Sequence, residues 1–272
     1  MRYSEDFYQT KDGRKHFYRM WIPDKTEAVL VCLHGIGTSS WRFLEMGEYM
    51  AMRRIKVFAP DLRSYGCNQG TRAYVKSFME FVDDWEVFRR EVLLKEDIKE
   101  NYLLGDSLGG LISIYIALHR PEGLTKLILT SPALRRKVKV DNFTLFLAQI
   151  ALFVAPKAHF AVPIYPEDIL YDENYTRKCR LSSLETPFIT PATFNALNKC
   201  MEEVWRRAGE IKTPMIILQA EKDTIVAPEA PAEFASRAPG CQVKVLPGER
   251  HAFINDLNKE KIYDLIWEQI KA

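Results

Sequence analysis

The run Gly105-Asp106-Ser107-Leu108-Gly109-Gly110 constrains this chain more than any other stretch. It follows the apolar residues Tyr102-Leu103-Leu104 and leads into Leu111-Ile112-Ser113-Ile114-Tyr115-Ile116-Ala117-Leu118. The first segment reads as a strand and the second as a helix, joined by a turn of the form Gly-x-Ser-x-Gly. Glycines two residues either side of Ser107 leave room for a sharp turn and for close packing of helix on strand. Such a turn holds the serine hydroxyl on a strained, exposed bend, with a helix N-terminus aimed at its substrate. Ser107 is therefore a candidate nucleophile, and the rest of the chain must supply its partners.

Around this turn, short apolar strands alternate with helical patterns. Phe7–Thr10 and His16–Ile22 flank a Lys-Asp-Gly-Arg-Lys turn and read as a hairpin. Ala28–Leu33, Ile55–Ala59, Asn101–Leu104 and Lys126–Leu129 read as strands. Phe43–Met52, Phe78–Leu94 and Leu108–His119 read as helices. That order predicts an α/β fold with a mostly parallel central sheet and helices on both faces. From about Pro132 to about Arg207 the alternation stops, leaving helical patterns and prolines. It resumes with Met215–Gln219, a helix near Pro228–Ser236, Gln242–Leu246 and a last helix over Asn258–Ile270. A helical insertion between two strands of one sheet accounts for this better than two domains. The expected division is a core of residues 1–132 and 206–272, with residues 133–205 as a helical cap.

Composition narrows the function classes. With 38 basic and 36 acidic residues the formal net charge is +2, so no nucleic-acid partner is expected. Cys32, Cys67, Cys179, Cys200 and Cys241 are scattered and form no Cys-x-x-Cys pair, which argues against a metal site or redox pair. Free thiols in a reducing compartment are the simpler expectation. The N-terminal segment carries no apolar signal-peptide core. The most apolar stretch, Phe143 to Pro156, falls short of the roughly 20 residues that a membrane span needs. A soluble, cytoplasmic protein is the expectation.

A neutral serine needs a base, and the base needs an orienting acid. After a serine on such a strand-to-helix turn, the partners follow in the order acid, then histidine. Of the five histidines, His159 and His251 lie beyond Ser107 and clear of its helix. His251 ends the loop Leu246-Pro247-Gly248-Glu249-Arg250-His251 after a strand, where a general base should sit. His159 lies in the cap and could at most line the pocket. The acid should follow Met215–Gln219, where Glu221 and Asp223 both stand; Asp223, later in the loop, is preferred. Asp106 sits inside the turn and points away from a distal histidine. Oxyanion donors are expected from the Ile36 N–H, in Leu33-His34-Gly35-Ile36-Gly37-Thr38, and from the Leu108 N–H. His34 is read as ordering that loop rather than as a base.

These stretches together resemble the α/β-hydrolase superfamily, and within it the monoacylglycerol lipase and lysophospholipase-like serine hydrolases. His34-Gly35-Ile36-Gly37 is similar to their His-Gly oxyanion loop. Asp61-Leu62-Arg63-Ser64-Tyr65-Gly66-Cys67-Asn68-Gln69-Gly70 resembles their Asp-x-Arg-Gly-x-Gly-x-Ser-x-Gly loop, with Ser64 in place of a glycine and Asn68 in place of a serine. Gly105–Gly110, Glu221–Asp223 and Gly248–His251 correspond to the elbow, acid and histidine loops, with Glu221 where many relatives carry glycine. The cap is similar only through Ser131-Pro132-Ala133-Leu134 and Tyr165-Pro166-Glu167-Asp168.

The resemblance implies a serine carboxylic ester hydrolase that cleaves monoacylglycerols, lysophospholipids or similar small acyl esters through an acyl-enzyme, without metal or organic cofactor. His34, Gly35, Trp41, Phe143, Phe146 and His159 are the candidates for contact with substrate. For Trp41, as for Phe43, ordinary packing is an equal alternative. The basic run Arg135-Arg136-Lys137-Val138-Lys139 is either a solvated cap entrance or, with Phe143-Thr144-Leu145-Phe146-Leu147, a transient contact with a membrane or micelle surface. Rival readings are a proline iminopeptidase-like or carbon–carbon bond hydrolase, a cofactor-free perhydrolase, and a non-catalytic binding module. Glu167, Asp168, Asp172 and Glu173 keep the peptidase rival open, because an acidic cluster could hold a peptide amine.

Overall fold

A computed structural model of the chain describes residues 1–137 and 142–271. The strands are β1 (Arg2–Gln9), β2 (Lys15–Ile22), β3 (Ala28–Leu33), β4 (Ile55–Pro60), β5 (Asn101–Asp106), β6 (Leu124–Thr130), β7 (Phe160–Ala161), β8 (Phe188–Ile189), β9 (Met215–Ala220) and β10 (Cys241–Leu246). The α-helices are α1 (Leu44–Met52), α2 (Met79–Phe88), α3 (Leu108–His119), α4 (Asn142–Val154), α5 (Pro166–Ile169), α6 (Glu173–Leu181), α7 (Pro191–Arg206), α8 (Ala230–Ala235) and α9 (Lys259–Lys271). Eight strands form one sheet in the order β1-β2-β4-β3-β5-β6-β9-β10. β1 and β2 make the expected hairpin, and β2 joins β4 antiparallel. From β4 to β10 every pairing is parallel.

The central parallel strands are most apolar where both faces are covered, as in β3 and β9. Val29, Leu30, Val31, Cys32 and Leu33 are all buried in β3. On one face Phe81, Val82 and Trp85 of α2, Leu111 and Ile112 of α3, and Val204 of α7 close over Val31, Leu103 and Leu129. On the other, Met46 and Met50 of α1 and Ile262 and Ile266 of α9 close over Leu30, Val57 and Leu104. α3 has no polar face, and Leu108 to Ala117 are buried without exception. The helix that carries the elbow is thus fixed against the sheet on its inner side. On its outer side the Tyr115 hydroxyl donates to Glu203 of α7 at 3.0 Å.

Three local features differ from the sequence expectation. The helix expected over Phe78–Leu94 is α-helical only to Phe88; Arg89–Leu93 forms a π-turn and Leu94–Glu96 a 3₁₀ turn. The widened turn keeps both Val92 and Leu93 buried, which a 3.6-residue period does not reveal. β1 begins at Arg2 rather than Phe7; it is an edge strand with mostly exposed side chains and little alternation to detect. The segment between β6 and β9, read above as helical, also contains the antiparallel pair β7–β8, whose two-residue strands are too short to show a period. Among the described residues no helix is long and apolar enough to cross a membrane.

Candidate active site

The carboxyl ends of β3, β5, β9 and β10 converge on Ser107, as ligand sites do at the strand ends of open parallel sheets. Ser107 holds φ +52° and ψ −109°, a conformation that a non-glycine residue keeps only when its surroundings enforce it. They do so from three sides. The Ser107 N–H donates to the Thr130 carbonyl at 2.9 Å. The Ser107 carbonyl accepts from the Gly110, Leu111 and Ala133 N–H groups. The first turn of α3 also lies directly on the end of β3, where a Cβ at Gly109 would come within 2.0 Å of the Leu33 carbonyl oxygen.

His251 Nε2 lies 3.0 Å from Ser107 Oγ, and His251 Nδ1 lies 2.7 Å from Asp223 Oδ2. The sequence-expected nucleophile, base and acid are thus brought together from loops 144 and 28 residues apart. Asp223 is fully buried. Its Oδ1 accepts from the Ile225 and Val226 N–H groups at 2.9 and 3.0 Å, and its Oδ2 also accepts from Gln219 Nε2 at 3.2 Å. Burial pushes the Asp223 carboxyl up, but His251 and the two backbone donors outweigh it and hold the group below its ordinary value. Burial pushes His251 down, but the Asp223 charge and hydrogen bond outweigh it and raise the imidazole above its ordinary value. With Asp223 as a carboxylate, Nδ1 carries the proton and Nε2 presents its lone pair to the serine hydroxyl. The arrangement can therefore take a proton from Ser107 and return it to a leaving group.

Glu221, the alternative acid, points elsewhere: it is exposed and accepts from the Gly248 N–H at 2.8 Å, tying the acid loop to the histidine loop. Asp106 is partly buried and accepts from the Thr130 hydroxyl at 2.7 Å; among the described residues it makes no hydrogen bond to His251. His34 is buried, and burial lowers its pKa. Its Nδ1 donates to the Gly35 carbonyl at 2.8 Å, while its Nε2 accepts from the Leu62 N–H at 2.9 Å. Both ring nitrogens are committed to backbone, so His34 orders two loops and has no free site for proton transfer.

Gly35 borders the nucleophile: a Cβ there would lie 3.4 Å from the Ser107 Cβ. The next residue along this loop is Ile36, and the residue after Ser107 is Leu108. Among the described residues, neither the Ile36 nor the Leu108 N–H donates to an acceptor in the chain. The loop after β3 and the start of α3 thus each carry a backbone N–H with no acceptor among the described residues.

The 61–70 loop explains the two departures noted in the sequence. Ser64 stands at φ +69°, where glycine is favoured, and its hydroxyl donates to the Tyr74 carbonyl at 2.6 Å. Asn68 accepts from the Phe17 N–H and donates to the Asp61 and Leu62 carbonyls. A shorter serine could not span those three partners.

The candidate substrate contacts scatter. Trp41 stacks on Tyr175 at 5.6 Å and donates to Glu185 at 2.9 Å, joining the segment after β6 to the core. Phe43 is buried in the α1–α9 layer. His159 is exposed and stacks on Phe188 at 4.0 Å. Phe146 on α4 is more than half exposed. The Phe143 side chain lies outside the described residues, as do Val138 and Lys139. The rest of the basic run is taken up by the protein: Arg135 pairs with Glu233 at 2.6 Å, Arg136 covers Phe194, and Lys137 Nζ donates to the Asp223 carbonyl at 2.7 Å. Sequence reasoning missed Gln219 and Glu185, an unremarkable residue type and a partner remote in the chain, and it placed Lys137 in a solvated or lipid-facing run rather than on the Asp223 carbonyl.

Comparison with known proteins agrees with this architecture. The chain is 26% identical over 270 residues to an uncharacterized abhydrolase domain-containing protein of Dictyostelium discoideum, covering 96% of this chain and 28% of that protein. It is 32% identical over 149 residues to a monoglyceride lipase of Mus musculus, covering 53% of this chain and 48% of that one. The matches thus span less than half the length of these two relatives. A soluble variant of monoglyceride lipase from Saccharomyces cerevisiae, solved with a substrate analog, superposes with a TM-score of 0.87 over 97% of this chain and 93% of that one; at 17% identity this likeness is one of fold. Residues 24–258 match the family described as serine aminopeptidase, S33. Since that match runs from before β3 to beyond the histidine loop and takes in every residue of the Ser107 site, the chain belongs to the serine aminopeptidase S33 family of α/β-hydrolases.

Proposed function

We propose that this protein is a serine carboxylic ester hydrolase that cleaves monoacylglycerols, lysophospholipids or similar acyl esters. The observation that carries the proposal is the unbroken relay from Asp223 through His251 to Ser107, at 2.7 and 3.0 Å. Ser107 Oγ attacks the ester carbonyl as His251 Nε2 takes its proton. The carbonyl oxygen becomes an oxyanion that the Ile36 and Leu108 N–H groups bind. Such preorganised donors contribute about 10²–10³ each in rate. Asp223 stabilises the imidazolium and keeps its tautomer. His251 then protonates the departing alcohol, and Ser107 is left acylated. Water, deprotonated by His251, attacks the acyl-enzyme and releases the carboxylic acid. Every step uses protein groups and water alone.

The family description names a peptidase, and two observations favour the ester reading. Of the four carboxylates that could hold a peptide amine, Glu167 pairs with Arg180 and Asp172 caps the N-terminus of α6. Within residues 133–205, the proposed cap, α4 instead exposes an apolar surface: Phe146, Leu147, Ile150, Phe153 and Val154. That face suits transient contact with a membrane or micelle surface from which an acyl ester would be drawn. The decisive assay is a p-nitrophenyl ester chain-length series beside a monoacylglycerol, lysophosphatidylcholine and an aminoacyl-p-nitroanilide. Ester turnover that disappears in Ser107→Ala is expected; ester turnover no higher than in that variant sinks the reading, and preference for the anilide restores the peptidase.

A further inference from the structure

The loop that carries Ile36 is not supported by the core alone. The segment between α6 and β8 lies against it. The Thr186 N–H donates to the Gly37 carbonyl at 2.6 Å. Gly37 stands at φ +75°, and a Cβ there would meet the Thr186 carbonyl oxygen at 2.8 Å. One residue before Thr186, the Glu185 carboxylate takes three donors from the far end of the same loop: Arg42 Nε and Nη2, both at 3.1 Å, and Trp41 Nε1 at 2.9 Å. The Arg42 guanidinium is nearly buried and lies 5.2 Å from the Trp41 ring and 5.5 Å from the Tyr175 ring. Burial alone would favour loss of its proton, but Glu185 outweighs this and keeps it charged. The Arg42 carbonyl in turn accepts from Asn255 Nδ2 at 2.7 Å, four residues beyond His251.

The 36–42 loop is thus gripped at both ends, at Gly37 by the Thr186 backbone and at Trp41–Arg42 by Glu185. A planar, two-pronged arginine–carboxylate pair fixes direction as well as distance. A largely desolvated pair of this kind is a poor device for stability, because desolvation offsets its attraction, but a good one for holding a single geometry. The group whose geometry it holds is the Ile36 N–H, adjacent to Gly37.

We infer that Glu185, acting through Arg42, Trp41 and the neighbouring Thr186–Gly37 contact, is a positioning residue for the oxyanion donor Ile36, so that this part of the cap segment is a fixed buttress of the site. The inference rests on the proposed ester chemistry, since only a reaction that builds negative charge on a carbonyl oxygen calls on that donor. Misplacing a reacting or stabilising group by about 1 Å typically costs about 10²-fold in rate. Glu185→Ala is therefore expected to lower kcat by roughly 10–100-fold while KM changes by less than about threefold. The inhibition constant of a trifluoromethyl ketone, which adds Ser107 and places an oxyanion between the same donors, should rise by the same factor. Glu185→Gln keeps the shape and should lose less. Arg42→Lys cannot replace the two-pronged pair and should add little on top of Glu185→Ala, because both act through one contact. Arg180→Ala removes a different ion pair of the same segment, with Glu167, and should leave kcat and ketone affinity unchanged.

The inference is overturned if folded Glu185→Ala keeps kcat within about twofold of the wild type, or loses kcat with no change in ketone affinity. Should Glu185→Ala not fold, Glu185→Gln and Arg42→Lys are judged by the same two criteria. If the wild type turned over no ester, the proposed activity would fail first. The buttress would still be read from the rate at which a fluorophosphonate labels Ser107 in wild type and variants, since its phosphoryl oxygen occupies the same donors.

Discussion

Gly109→Ala tests the elbow where its geometry is tightest. An added Cβ would sit 2.0 Å from the Leu33 carbonyl oxygen, 2.5 Å from the Leu33 carbonyl carbon and 2.8 Å from the His34 carbonyl oxygen. All three are backbone atoms and cannot rotate aside. Ordinary contact begins at 3.4 Å, so the shortfall against the nearest atom is 1.4 Å. It can be recovered only by moving the first turn of α3 away from the end of β3. Those two backbones lead directly to the proposed oxyanion donors, Leu108 on one side and Ile36 on the other. A displacement of about 1 Å at such donors corresponds to about 10²-fold in kcat. Overpacking of this kind costs roughly 1–3 kcal/mol of stability, and for a chain of this size each kcal/mol lowers Tm by roughly 2–4 °C. The assay is kcat on a p-nitrophenyl ester, normalised to active sites titrated with a fluorophosphonate, beside a thermal melt. Gly209→Ala is the control: its Cβ would meet nothing closer than the Arg237 carbonyl at 3.6 Å, and both readouts should stay at wild-type values. A Gly109→Ala protein with kcat within about threefold of wild type would falsify the claim that this contact sets the donors.

The remaining predictions address the relay and the outer surface. His251 must be neutral to accept the serine proton, and Asp223 raises its pKa, so kcat/KM should fall on the acid side with a midpoint above the ordinary 6.5. Removing the Asp223 charge should move that midpoint to lower pH; a midpoint that stays in place shows another group to be titrating. Asp223→Asn should cost about 10⁴ in kcat, because the amide reverses the imidazole tautomer. Glu221→Gln, whose carboxylate accepts from the Gly248 N–H, should stay within about tenfold of wild type, and the opposite ranking would reassign the acid. Phe153 on α4 is 84% exposed, so Phe153→Ser should weaken binding to lipid vesicles without altering turnover of a water-soluble ester. Equal vesicle binding by the two proteins would remove α4 from the proposed surface contact.

The fold was legible because its signals are local and repeated. The central parallel strands β3 and β9 are short apolar runs buried on both sides, and successive strands are separated by helical periods. The element order therefore follows from the sequence, and so does the parallel sheet. Where the signal weakens, so does the reading. The exposed edge strand β1, the two-residue strands β7 and β8, and the π-turn over Arg89–Leu93 carry no period of their own. Ser107, Asp223 and His251 were legible for a related reason. Each follows its strand within a few residues, and the type of residue that the chemistry needs occurs there once or twice.

What holds those residues in place was not legible, because its partners are distant in the chain and ordinary in type. Glu185 reaches Arg42 across 143 residues, and Lys137 reaches the Asp223 carbonyl across 86. The strain at Ser107 shows why such contacts matter. A positive φ at a serine costs of order 1–3 kcal/mol, which a turn sequence alone does not supply. Thr130 of β6 supplies an acceptor for its N–H, Ala133 donates to its carbonyl, and Leu33 of β3 allows no side chain at Gly109. Those constraints come from neighbouring strands, so the elbow exists only once the sheet has formed. The same holds on the other side of the site, where the Ile36 loop is closed by Thr186 and Glu185 from a segment about 150 residues further along. A turn motif therefore names the proposed nucleophile, but the geometry that holds it belongs to the assembled sheet and to the segment between β6 and β9 laid against it.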